Sequence, residues 1–318
     1  MDPARSRTRR SFLGAVGTLS VGSLATSRSV QRETGGEYGL HPGLVYLNTA
    51  SLGPTPRTVL DRTLSAWAEL EQNPVRMAYG DGAVHVATDS VRERAAAFLG
   101  CDADELLVTR STTDAMNTLA QAVRLIRGDR VLTTNMEHEG GSNGWRYRTR
   151  RDGVVLDVVP VSPVESDQAA LVQRFADAIT PATRVISVSH VIASTGLRMP
   201  VAEIAALARD RGVLCVVDGA QAVGEMEVDV RTIGCHAYAT CGHKWLLGPK
   251  GTGLLFISRE AGEAIEPIER QDGRRFVAGS TGMGSLPLKP LALTGVDSNV
   301  VYADFGHKNA AQQQQIMT

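Results

Sequence analysis

Two residues have settings that would let them do chemistry. Asp218 follows the apolar run Val213-Leu214-Cys215-Val216-Val217, which places a carboxylate at the carboxyl end of a buried strand, where open α/β sheets present their ligand groups. Lys244 stands between His243 and Trp245 in a stretch with few other charges. It is a candidate for lost solvation, and a desolvated lysine is the amine that forms Schiff bases. An acid that can hold a protonated ring nitrogen and an amine that can form an imine make a complementary pair. Singly, such an aspartate also serves as a cap or turn residue, and such a lysine as a solvated surface charge. The ordered set, with Gln221 three residues after Asp218, favours the chemical reading.

The stretch from Val213 to Ile257, with D-x-x-Q from Asp218 to Gln221 and then Thr240-Cys241-Gly242-His243-Lys244, resembles the cofactor site of the class V aminotransferases. That pyridoxal-phosphate family includes cysteine desulfurases, kynureninase and isopenicillin N epimerase. The resemblance implies pyridoxal 5'-phosphate as cofactor. It also implies that Asp218 pairs with the pyridine nitrogen, Gln221 hydrogen-bonds the ring hydroxyl, Lys244 carries the Schiff base and His243 reaches the phosphate. Where the family often has a phosphate-binding serine, this chain has Cys241, a weak donor.

Other segments extend the resemblance. Leu106-Leu107-Val108-Thr109 runs into Arg110-Ser111-Thr112-Thr113, so a strand delivers hydroxyls to the start of a helix expected to continue to about Leu125. Such a start can hold an anion, although serine and threonine there are also plain caps. The resemblance makes Thr112 and Thr113 phosphate ligands. It sets the imidazole of His138, after the strand expected over Arg130 to Asn135, flat against the cofactor ring. His190 occupies the place nearest the asparagine that supports a cofactor oxygen in desulfurases, which puts the chain closer to the epimerase-like branch. Within Arg274 to Thr281, Thr281 or Ser280 would reach the phosphate of a dimer partner. The loop Gly248-Pro249-Lys250-Gly251-Thr252-Gly253 lacks the ending of a P-loop and reads as a turn shaping the chain beyond Lys244.

These residues must be positioned by an alternation of strands and helices. Strands are expected over Val154 to Val159 and Val185 to Ser189, with helices over Gln168 to Ile179 and Pro200 to Arg211. A mostly parallel sheet with helices on both faces follows, a three-layer α/β/α architecture. Amphipathic helices over Pro56 to Gln72 and about Val84 to Leu99 precede it. The apolar spacing of the first assigns Leu60, Leu64 and Trp67 to the core.

The 318 residues include 33 Lys and Arg against 34 Asp and Glu, a net charge of −1, which offers no basic excess for nucleic acid. Cys101, Cys215, Cys235 and Cys241 show no metal-ligand spacing and no disulfide framework. Thr8-Arg9-Arg10-Ser11-Phe12-Leu13 and the mild apolar run after it resemble a twin-arginine export signal over residues 1–26, the alternative being a basic N-terminal extension on a cytoplasmic protein. That run is too short and too rich in Gly and Ser to span a membrane, so no membrane attachment is expected once the signal is removed. Residues 27–45 read as a linker and N-terminal segment, 46–294 as the cofactor-binding large domain, and 295–318 as a short polar tail in place of the family's small domain. The chain is therefore expected to be truncated. The implied activity is that of a dimeric enzyme acting on an amino acid by transamination, epimerisation or elimination. Alternatives are a desulfurase or selenocysteine lyase, and a non-catalytic remnant that binds the cofactor or nothing.

Overall fold

The computed structural model describes residues 36–74, 83–265, 267–269 and 275–277. The proposed signal segment, Ser280, Thr281 and the tail lie outside the described residues. Helices α1 (Arg57–Gln72) and α2 (Ala83–Leu99) lead into an alternating series: β1 (Leu106–Thr109), α3 (Thr112–Ala122), β2 (Arg130–Thr134), α4 (Glu139–Asp152), β3 (Val155–Val159), α5 (Gln168–Ala178), β4 (Thr183–Ser189), α6 (Val201–Asp210), β5 (Leu214–Asp218), the short α7 (Val230–Ile233), β6 (Ala237–Cys241) and β7 (Gly253–Ile257). A separate hairpin pairs β8 (Pro267–Glu269) with β9 (Arg275–Val277).

Seven strands form one sheet in the order β1-β7-β6-β5-β4-β2-β3. β7 runs antiparallel to both its neighbours, and the other pairings are parallel. β5 is buried at every position, which is why its sequence is a continuous apolar run rather than an alternation. Its side chains still alternate between the two faces. Cys215 and Val217 join Phe175, Ile186, Ile204 and Phe256 on one side, while Leu214 and Val216 join Met116, Leu119, Trp145 and Leu255 on the other. Helices α5 and α6 supply the first layer, α3 and α4 the second. The expected α/β/α architecture and mostly parallel sheet are thus present.

Local chemistry sets the helix ends. Ser111, Asp167 and Asp229 accept amide hydrogens at 3.0, 2.9 and 2.7 Å to cap α3, α5 and α7. α3 stops at Ala122, short of the expected Leu125, because the buried Arg148 guanidinium takes the carbonyls of Ala120, Val123 and Leu125 as hydrogen-bond acceptors. α4 was not anticipated from its glycine-rich start. Its tryptophan anchors it: Trp145 is fully buried and donates from Nε1 to Ser187 Oγ of β4 at 2.9 Å, so a polar tip and an apolar body are both satisfied.

One expectation is overturned. Leu60, Leu64 and Trp67 of α1 are 40%, 58% and 57% exposed, and α1 has no buried residue. The apolar stripe exists, but nothing among the described residues packs on it.

Candidate functional site

The carboxyl ends of the parallel strands and the first turn of α3 enclose a cleft of about 340 Å³, counting the solvent at its mouth. Thr112, Thr113, His138, Asp218, Gln221 and Lys244 all line it. They come from four separate segments that the parallel register brings to the same edge: Ser189 and Asp218 are direct partners across β4 and β5.

Asp218 forms the floor. It is 6% exposed, and its Oδ1 accepts from the Ala220 amide at 3.0 Å. Burial pushes its carboxyl above the usual range, opposed by that amide and by the charges of Lys244 and His138. Its Oδ2 faces the start of α4, where a Cβ on Gly141 would lie 2.7 Å away. Only glycine lets the helix backbone approach the carboxylate so closely.

Thr112 opens α3, and its buried Oγ1 has no hydrogen-bond partner of normal geometry, only the weak approach of the Cys241 thiol. An orphaned buried hydroxyl at a helix N-terminus is an unusual feature that asks for a ligand. His138 caps α4, its Nδ1 accepting from the Gly140 amide at 3.0 Å, so the ring is held over the cleft edge by its own helix.

Lys244 is half-buried on the rim. Its backbone is gripped by the N-terminal segment: the Gly53 amide donates to the His243 carbonyl at 2.8 Å, and a Cβ on Gly53 would meet the Lys244 oxygen at 2.0 Å. Leu247 just beyond has φ +56°, a left-handed conformation costly for a leucine. Gln221 links the same parts, donating to the Ala50 carbonyl at 3.0 Å and accepting from Trp245 Nε1 at 2.7 Å. Lys250, in the glycine-rich turn, donates to Thr55 Oγ1 at 2.8 Å and to the Gly53 carbonyl. That loop therefore works as a clamp on residues 53–55.

Three residues singled out in the sequence do not line the cleft. His190 turns its ring into the core, where Nδ1 meets the Tyr238 hydroxyl at 2.8 Å. Burial, with the charge of Arg198, pushes its imidazole down to about 4. His243 is engaged by the Thr252 carbonyl at 3.1 Å, and burial lowers it too. Cys241 is buried behind Thr112, with its Sγ 3.9 Å from the Ala220 carbonyl and its thiol pushed upward by burial.

Two polar residues escaped the sequence reading. Ser189 lines the cleft, and its hydroxyl donates to Oε2 of Glu137 at 2.6 Å. Burial, with repulsion from Asp218, pushes the Glu137 carboxyl up to about 7, against the hydrogen bonds of Ser189 and Thr134. The nearest signal was Glu137 lying directly before His138.

The aminotransferase class-V family model matches residues 45–280. The chain is 38% identical over 229 residues to a probable cysteine desulfurase of Methanothermobacter thermautotrophicus, covering 70% of this chain and 55% of that protein. It is 35% identical over 237 residues to the isopenicillin N epimerase of Streptomyces clavuligerus, covering 74% and 59%. The solved cystine C-S lyase C-DES, in complex with cysteine persulfide, has the same fold at a TM-score of 0.67 and 24% identity, covering 75% of this chain and 66% of that one. The chain thus spans little more than half the length of these curated relatives. It belongs to the class-V aminotransferase family.

Proposed function

Taking that membership as premise, we propose that the cleft binds pyridoxal 5'-phosphate and that the protein acts on a small amino acid at its Cα. One observation carries the reading: Asp218, Lys244, His138, Gln221 and the orphaned Thr112 hydroxyl converge on one cleft. The residues present fit the group. Thr112 and Thr113 offer hydroxyls at the positive end of α3 to a phosphate, and Asp218 offers a buried carboxylate to a ring cation. When bound, pyridoxal phosphate supplies a carbonyl that condenses with amines and a ring that withdraws electrons from Cα.

The chain's own groups do the rest. With the group bound, Asp218 would hold the proton on its ring nitrogen, and Lys244 Nζ would be the amine that binds it and moves the proton at Cα. His138 would be the aromatic wall of the site. Gln221, donating one amide hydrogen to Ala50 and accepting from Trp245, fixes the rim that carries Lys244 and keeps its second N–H for a ring hydroxyl. Proton movement of this kind serves transamination, epimerisation or elimination. Sulfur transfer to a protein thiol is the second reading; burial pushes Cys101 and Cys215 up to about 12 and raises Cys235 and Cys241 as well, so none of these four is readied as the thiolate that would accept the sulfur. Thr281 in trans across a homodimer and twin-arginine export through Arg9 and Arg10 belong to the same proposal. Fractionating cells that express Lys at both arginines tests the last of these.

The decisive experiment adds pyridoxal phosphate to the purified chain, reduces with borohydride and maps the modified peptide by mass spectrometry. We expect a visible absorption band and a stable adduct on Lys244, both lost in Lys244→Ala with the fold intact. No band and no adduct in the wild type would overturn the reading.

A further inference from the structure

Glu137 and Ser189 are 52 residues apart, yet they share one short hydrogen bond on the cleft floor. Thr134 Oγ1 accepts from the Met136 amide at 3.1 Å and so turns its own hydrogen to Oε1 of Glu137, at 2.7 Å. That side of the carboxyl is committed to accepting. Oε2 accepts from the Ser189 hydroxyl, and the Ser189 backbone amide also donates to the carboxyl; among the described residues Glu137 is that hydroxyl's one hydrogen-bond partner. Ser189 is 4% exposed, lines the cleft and is the register partner of Asp218.

We propose that Glu137 and Ser189 form a proton-operated hydrogen-bond switch facing the cleft. Ionised Glu137 takes the Ser189 hydrogen, leaving the serine oxygen toward the cleft as an acceptor. Neutral Glu137 carries one proton from solvent on Oε2 and donates it to Ser189 Oγ, which turns the serine hydrogen into the cleft as a donor. A ligand presenting an anionic or carbonyl oxygen there binds the neutral state more tightly. The inference rests on the proposed cofactor reading for the identity of that ligand, but not for the switch itself.

The electrostatic setting supports it. Of the charged groups around the carboxyl, Asp218 acts on it directly and unfavourably, and among the described residues no cation is paired with it; Lys244 and His138 act instead on Asp218, and His190, next to Ser189, faces Tyr238. The charge of Asp218 opposes ionisation of Glu137. Desolvation and Asp218 place Glu137 near neutrality, at about 7, so the switch is poised in the physiological range. If Asp218 keeps its charge for a ring cation, Glu137 is the one that holds the proton.

Pyridoxine 5'-phosphate, which lacks the aldehyde and cannot condense with Lys244, is the probe. Its dissociation constant is measured from acid to alkaline pH with wild type, Glu137→Gln and Ser189→Ala, alongside infrared titration of the ligand-free chain. We expect wild-type affinity to fall about tenfold as pH rises through neutrality, the worth of one charge-assisted hydrogen bond. Glu137→Gln, whose amide N–H imitates the neutral acid, should stay at the tight level and Ser189→Ala at the weak one. The infrared band of a protonated carboxyl should titrate near pH 7 and vanish in Glu137→Gln. Tight binding with the same pH profile in all three proteins would overturn the switch while leaving the cofactor reading standing. A wild-type band that titrates in the ordinary carboxylate range would overturn it whatever the probe does. Failure of the probe to bind, with the band titrating near 7 as expected, would count against the cofactor reading and uphold the acid's proton.

Discussion

Helices α4 and α1 each carry a tryptophan, and the two fare oppositely. Trp145 is sealed between α3 and the sheet with its indole nitrogen bonded to Ser187, whereas Trp67 is 57% exposed. The difference is not hydrophobicity. α4 is short of good helix formers, with glycines at 140, 141 and 144, but it lies over a sheet that supplies a complete partner surface. α1 has an ordinary helical sequence and no such partner among the described residues. Burial follows the neighbour a face finds, and the cleft is built where neighbours are complete.

Four substitutions sharpen that contrast. Trp145→Ala should lose the most, about 3 to 5 kcal/mol of unfolding free energy, since it opens a large cavity and orphans the Ser187 hydroxyl; denaturant melts measure it. A loss near 1 kcal/mol would mean that α4 is not docked as described. The second probe is acid. His190 is neutral in the fold, with its imidazole at about 4, against about 6.5 in an unfolded chain. The unfolded chain therefore binds more protons between these values, and stability rises with pH across that window and is lost as pH falls through it. The change is on the order of 3 kcal/mol. His190→Asn should flatten that part of the stability profile; an unchanged slope would show that the ring is hydrated. Glu137, raised in the fold, works in the opposite sense, its contribution falling as pH climbs from the ordinary carboxylate range to about 7, so Glu137→Gln and His190→Asn should bend the profile in opposite directions. The smallest effect belongs to Trp67→Ala, within about 0.5 kcal/mol for an exposed position. A loss as large as that of Trp145 would break the comparison, because it would require a surface covering α1 in solution.

Much of the cleft was legible before folding. Asp218, Lys244, Gln221, Thr112, Thr113 and His138 each sit just after a strand or at a helix start, and in a parallel sheet every such position arrives at the same edge. The clamp role of the Gly248 to Gly253 loop was likewise readable as a turn, though its grip on Gly53 and Thr55 through Lys250 was not. His190 and His243 have the right residue type and position, but their rings found partners in Tyr238 and a backbone carbonyl instead. A side chain's direction is chosen by the partners within reach, and a linear motif does not contain them.

The sequence by itself determined the alternating α/β order, the apolar strands and the chemical identities gathered after them, because periodicity and turn chemistry are local properties of the chain. The tertiary structure decided what is non-local. It joined Glu137 to Ser189 beside Asp218, admitted the α4 backbone to the carboxylate at Gly141, and left the apolar face of α1 uncovered. The reason is physical: desolvation and hydrogen-bond satisfaction depend on what packs around a group in space, and those neighbours come from segments tens of residues away.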